Sequence, residues 1–160
     1  MARKRSVSQR AGQSAAPAHT RDFARIRKIL PKNESQKIYL EAIESSALTV
    51  GIGSAGTGKT FIAIYQAVCH LFAKKVRRIV LTRPIVEAWE KIGYLPGNID
   101  EKMNPYMVPL YDSLFDIIGR EETKDKIDRG IIELAPLAFA RGRTFHDSFV
   151  IIDEAQNCTY

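Results

Sequence analysis

At 160 residues and 45% apolar content the chain has room for one domain with a buried core and a tail. No apolar run approaches the roughly 20 residues of a membrane helix, and no secretory apolar stretch follows the basic N-terminus. Cys69 and Cys158 lie far apart, without a CxxC or Cys/His cluster. A cytoplasmic protein with reduced structural thiols and no zinc site is therefore expected.

The formal charge of +6 is unevenly placed. Residues 1–40 hold ten Lys/Arg against Asp22 and Glu34, a local charge of +8, while the other 14 basic and 16 acidic residues sum to −2. Such an arm attracts phosphate backbones without reading sequence, and it is equally the composition of a solvated tail. Residues 1–20 are rich in Ser, Ala, Gln and Arg and nearly free of large apolar groups. Ordering them would bury too little to offset the entropy lost, so a disordered basic tail is expected there, with the folded domain in residues 21–160.

The first predicted element is a helix over 35–46, with Ile38, Leu40, Ala42 and Ile43 at helical spacings and Asn33 or Ser35 as its cap. Residues 48–52 (LTVGI) are short, apolar and β-branched, and predict the first strand. A glycine-rich turn follows, then a long apolar helix from Lys59 to about Lys74. RIVLTR at 78–83 predicts a second strand, 131–134 a third and 149–153 a fourth. Helices are predicted at 84–91, 105–118 and 121–129, with Gly119 and Gly130 as C-terminal caps. Strands alternating with helices imply an α/β fold with a parallel sheet covered on both faces.

The glycine-rich turn carries chemistry. Gly53, Ser54, Ala55, Gly56, Thr57, Gly58, Lys59 and Thr60 fit GxxxxGK[ST] at every fixed position. Glycines permit the tight, partly left-handed backbone that points successive N–H groups inward, and the following helix adds its positive N-terminal end. Lys59 reaches β- and γ-phosphates in such a loop, and the Thr60 hydroxyl is a magnesium ligand. A nucleoside triphosphate with Mg2+ is the expected ligand, ATP foremost. Residues 149–154 (FVIIDE) form an apolar strand ending in two acids. With the loop upstream, Asp153 is expected to hold the metal and Glu154 to act as general base on water. Trp89 and Tyr94 have the ring faces of a base-stacking platform, but aromatics in apolar segments more often belong to a core. His146 has no partner acid or nucleophile identifiable in the sequence.

Beyond these motifs, Val76-Arg-Arg-Ile-Val-Leu-Thr-Arg-Pro84, Gly93-Tyr-Leu-Pro-Gly97, Asn104-Pro-Tyr106, Arg141-Gly-Arg-Thr144 and Asp153-Glu-Ala-Gln-Asn157 follow in order. With them the chain, from roughly Asn33 onward, resembles the PhoH-like family of P-loop ATPases, itself similar to the ATPase core of superfamily one helicases. The resemblance implies a P-loop NTPase fold, three-layer α/β/α with a mainly parallel sheet, and ATP hydrolysis coupled to single-stranded RNA or DNA. It further implies that Gln36 reads adenine, that Gln156 senses the γ-phosphate, and that Thr82 and Arg83 meet a nucleic-acid backbone, with Arg141 and Arg143 as further candidates. Members of the family continue past the DEAQ box to a Gly-Asp-x-x-Gln strand and an arginine acting on the transferring phosphoryl group. With the chain read as C-terminally incomplete, its sheet is expected to lack a strand and to expose an edge that pairs with another chain. Three functions stay open at this point: a nucleic-acid-coupled ATPase, a nucleotide-binding module without turnover, and a basic RNA-binding protein with a vestigial P-loop.

Overall fold

The structure, a computed structural model, describes residues 26–84 and 99–158. The expected tail at 1–20, the expected helix at 84–91 beyond Pro84, and Trp89 and Tyr94 lie outside the described residues.

Helix α1 (Glu34–Ser45) starts where Asn33 takes an extended backbone and its side-chain oxygen accepts the Gln36 N–H at 2.9 Å. It buries Ile43 and sets Tyr39 and Leu40 against the core. Helix α2 (Lys59–Phe72) follows the glycine-rich loop and buries Ile62, Ala63, Ile64, Ala67 and Val68, a stripe at helical spacing facing the sheet. Strand β1 (Arg78–Arg83) comes next, then α3 (Ile99–Ile118), α4 (Arg120–Asp128) and β2 (Ile132–Pro136). A 3-10 turn (Leu137–Ala140) leads toward β3 (Ser148–Ile152), and a second 3-10 turn (Ala155–Asn157) follows it. Helix α3 begins six residues before the expected start at Pro105.

The three strands are parallel in the order β2-β1-β3. Register pairs Ile79 with Ile132 and Phe149, and Leu81 with Leu134 and Ile151, so these six side chains share one face. Residues of all four helices join them in a single cluster: Ile43, Ile64, Leu110, Leu114 and Ile127 among others. Burying this apolar stripe against the sheet drives the fold, at roughly 1.5–3 kcal/mol for each large side chain removed from water. The result is the expected α/β architecture with a parallel sheet.

One expected element is missing. Residues 48–52 form no strand and join no ladder among the described residues, and Leu48, Val50 and Ile52 are 82%, 74% and 92% exposed. Propensity alone makes no strand, because an extended segment needs a neighbour for its backbone groups. No such neighbour lies beside it among the described residues.

Two helix ends follow one geometry with different residues. After α4, Gly130 sits at φ 66°, its N–H bonds to the Ile127 carbonyl, and the Ile131 N–H reaches the Lys126 carbonyl. After α2, Lys74 takes the same left-handed position at φ 58°, with bonds from Lys74 to Leu71 and from Lys75 to His70. A side chain there costs about 1–2 kcal/mol, and glycine's extra freedom in the unfolded chain returns roughly half of that. Lys74→Gly is expected to stabilise the protein by about 0.5–1 kcal/mol, read as a rise in the denaturation midpoint at unchanged slope.

Candidate functional site

The glycine-rich loop ends at Gly58, whose φ of 86° opens α2. Gly56, at φ 74°, is the second left-handed position in the loop. These are conformations that L side chains resist, so the glycine the motif fixes at 58 and the further one at 56 both relieve strain. Gly58 is also sterically closed, since a Cβ there would lie 3.3 Å from the Gln36 amide nitrogen. The Lys59 ammonium curls over the loop and donates to the carbonyls of Gly53 and Ser54, both at 2.8 Å. Thr57 Oγ1 donates to the Ser54 carbonyl at 2.9 Å and tightens the turn.

Gln36, for which the resemblance implies adenine reading, reaches the loop, and both ends of its amide are engaged by the chain. Its nitrogen donates to the Thr57 carbonyl at 3.0 Å and its oxygen accepts the Lys32 N–H at 2.8 Å. It therefore ties the start of α1 to the loop. The ring of Tyr39, one turn further along α1, faces Gly51, where an added Cβ would lie 3.0 Å from it. Burial and, second, the charge of Asp153 push the Tyr39 hydroxyl above the ordinary tyrosine range. No local signal singles out Tyr39, because an aromatic in an amphipathic helix reads as core.

The two halves of the site meet through one bond. Thr60 Oγ1 donates to Asp153 Oδ1 at 2.7 Å, joining residues 93 positions apart. The sheet makes this possible: the Asp153 N–H bonds to the Thr82 carbonyl at 2.8 Å, extending the β1–β3 ladder by one step and aiming the carboxylate at the start of α2. The next residue, Glu154, takes the left-handed conformation at φ 53°, a strained position for a non-glycine residue. Its carboxylate accepts a hydrogen bond from the Gln156 amide.

Arg83 turns inward. Its guanidinium lies 3.9 Å from Asp153 Oδ2 and 3.7 Å from Glu154 Oε1, and donates to the Tyr106 carbonyl at 3.3 Å. The position expected to face a nucleic-acid backbone instead neighbours both acids, since alternation places Arg83 on the face of Leu81, with Asp153. Thr82 is 1% exposed and its hydroxyl is buried, so that side chain is not at the surface for a backbone contact. Arg143 forms a two-pronged pair with Glu133, with Arg78 3.3 Å from the same carboxylate, and stacks over Phe145. Arg141 is exposed. His146 contributes its carbonyl to the Ser148 hydroxyl.

The Arg143 pairing holds the Glu133 carboxyl below the usual carboxylate range. A lowered folded-state value means stability that is present above the unfolded carboxylate pKa and is lost as pH falls through the folded one. The pair is surface-placed and screened by solvent, so its contribution is small. Arg143→Ala should thus lower stability slightly at neutral pH, and the difference should disappear as pH falls below the folded Glu133 value, which thermal denaturation across the acid range measures.

As donors for a cation, Thr60 and Asp153 offer one hydroxyl and one carboxylate, and no group of three or more His, Cys, Asp or Glu side chains gathers among the described residues. That sparse oxygen set fits magnesium, which keeps several waters and binds through one or two carboxylates plus phosphate oxygens. It does not fit zinc.

A parallel α/β domain with a GxxxxGK[ST] loop opening a helix, and an acid-tipped strand beside it, defines a protein of the P-loop class. The family profile described as PhoH-like protein matches residues 28–160. Among the relatives, the PhoH-like protein of Mycobacterium tuberculosis is 51% identical over 131 residues, 82% of this chain and 37% of that protein. The PhoH-like protein of Bacillus subtilis is 49% identical over 136 residues, 85% of this chain and 43% of its own length. Protein PhoH of Escherichia coli K12 is 45% identical over 141 residues, covering 87% and 40%. The chain belongs to the PhoH-like family, and it spans about two fifths of the length of these relatives. No helix among the described residues is long and apolar enough to cross a membrane.

Proposed function

We propose that the protein binds ATP with magnesium at the glycine-rich loop and hydrolyses it, in a cycle coupled to single-stranded RNA or DNA. The observation that carries this reading is the 2.7 Å contact between Thr60 and Asp153, which unites the two halves of a phosphate and metal site from opposite ends of the domain. In the bound state Lys59 exchanges its two carbonyl partners for β- and γ-phosphate oxygens, so the loop is already shaped around the position a phosphate takes. Thr60 and Asp153 hold the cation, and magnesium supplies charge neutralisation at the phosphates. Glu154 accepts a proton from the attacking water, and Gln156, bonded to it, orients the carboxylate. Arg83, beside both acids, positions them.

Coupling to nucleic acid draws its support from the family resemblance and from the +8 carried by residues 1–40. Purified protein should release phosphate from ATP in the presence of magnesium, and faster with single-stranded RNA or DNA. Tight nucleotide binding by calorimetry without phosphate release would overturn the turnover, and stimulation by neither polymer would overturn the coupling.

The tie made by Gln36 supports a role for that residue as well. Removing one amide that bonds the loop costs about 0.5–1.5 kcal/mol. Gln36→Ala should therefore weaken ATP and GTP binding alike, by about three- to tenfold, whereas a loss confined to ATP would make Gln36 an adenine reader.

A further inference from the structure

Helix α1 meets the glycine-rich loop on both of its limbs. Downstream, the Gln36 amide donates to the Thr57 carbonyl at 3.0 Å. Upstream, one turn further along the same helix, the Tyr39 ring lies over Gly51, where an added Cβ would stand 3.0 Å from Cε2, Cζ and Oη alike. Gly51 is outside the left-handed region that Gly56 and Gly58 occupy, so its backbone makes no demand for glycine. The approach of Tyr39 makes that demand instead. Thr49 adds a bond from its hydroxyl to the Ala42 carbonyl at 3.2 Å, next along the helix. The far end of α1 is fastened to α2, the helix that the loop opens. There the Glu44 carboxylate accepts from Lys75 and Gln66 and lies 2.8 Å from His70 Nε2, while Ile43 beside it is buried in the core. The loop is thus held between points that are themselves fixed. Burial and, second, the charge of Asp153 raise the Tyr39 hydroxyl, which sets Asp153 within electrostatic reach of the same ring.

We propose that α1 is a brace that fixes the separation of the loop's two limbs, and that Tyr39 is the positioning residue of the upstream limb, setting the loop's affinity for the phosphates of a nucleotide. The proposal rests on the reading of the loop as a phosphate cradle and names what holds the cradle in shape. A nest of backbone N–H groups attracts an anion only while the groups converge, and a loop whose shape is fixed on folding loses less freedom on binding. Gly53, Gly56 and Gly58 give the loop little stiffness of its own. A helix braced against it supplies the stiffness. Phosphates that do not react are bound alike in substrate and transition state, so a loosened brace weakens both equally: KM rises and kcat holds. A side chain that merely fills the core gives a different result, a loss of thermal stability at unchanged affinity.

The test measures ATP and ADP affinity by calorimetry with magnesium present, beside thermal denaturation, in the full 160-residue chain carrying Gly51→Ala, Tyr39→Leu or both. Gly51→Ala drives a methyl group against the ring and should weaken both nucleotides by about three- to tenfold. With Tyr39→Leu, which should weaken them by a similar factor, the same alanine should cost less than about twofold, because the ring it strikes is gone. Tyr39→Phe keeps the ring and should recover the affinity. In the ligand-free chain, Tyr39→Leu should shift the amide resonances of Thr57 and Gly58 as well as that of Gly51, since one limb reports on the other through the brace. Losses that simply multiply in the double variant overturn the proposal, and so does a lower denaturation temperature with both affinities unchanged. A wild-type chain that binds neither nucleotide overturns the phosphate reading instead. The resonances alone then decide the brace, and a shift confined to Gly51 and its chain neighbours overturns it.

Discussion

Lys59→Ala is expected to lower the rate of phosphate release from ATP by about 10²- to 10³-fold, the loss typical when one positioned donor to a developing charge is removed. The argument is geometric. The ammonium is held over the centre of the loop by the Gly53 and Ser54 carbonyls, so the wild-type protein has no search to make for it when phosphate oxygens arrive. Alanine leaves α2 intact, since it is the best helix former and the substituted position opens the helix. An unchanged circular dichroism spectrum with abolished turnover is therefore the expected pair of results. Turnover at the wild-type rate would remove the loop from the chemistry altogether.

Glu154→Gln separates binding from hydrolysis. The substitution keeps the shape and removes the charge that accepts a proton, and general-base contributions run at about 10² to 10⁴ in rate. Phosphate release should fall by that factor. ATP affinity by calorimetry should stay within about threefold, because in the proposed site the cation is held by Thr60 and Asp153, which bond each other, rather than by Glu154. Asp153→Asn, in contrast, should weaken magnesium-dependent binding itself. Equal losses of affinity in the two variants would place Glu154 in the metal site and end its assignment as base.

Much of the site is legible in the residues because its chemistry is local. The conformations at Gly56 and Gly58 and the reach of Lys59 are properties of eight consecutive residues. Asp153 and Glu154 are likewise marked by the apolar strand before them. The helix end at Gly130 is readable for the same reason, as a left-handed cap is a single-residue requirement. Arg83 and Arg143 are the opposite case. Each stands in a stretch that resembles a nucleic-acid-facing block, and each finds an acid in the fold: Asp153 and Glu154 for the first, Glu133 for the second. Those partners lie on other strands, and only register and alternation decide which side chains meet.

Residues 48–52 mark the division most clearly. Their composition predicts an apolar strand ahead of a phosphate-binding loop, yet no ladder forms there among the described residues. Whether the stretch is a strand is not a property it holds by itself, because β structure is a relation between two backbones whereas a helix satisfies its own. By itself the sequence determined the loop, the acidic pair, the helices among the described residues and the parallel α/β class, since propensity, capping and period are written within short windows. The tertiary structure alone decided that Thr60 touches Asp153 across 93 positions, that Gln36 is tied to Thr57, and that Arg83 serves the acids. Those outcomes depend on the order β2-β1-β3 and its register, set by burying Ile79, Leu81 and Ile151 together against the helices.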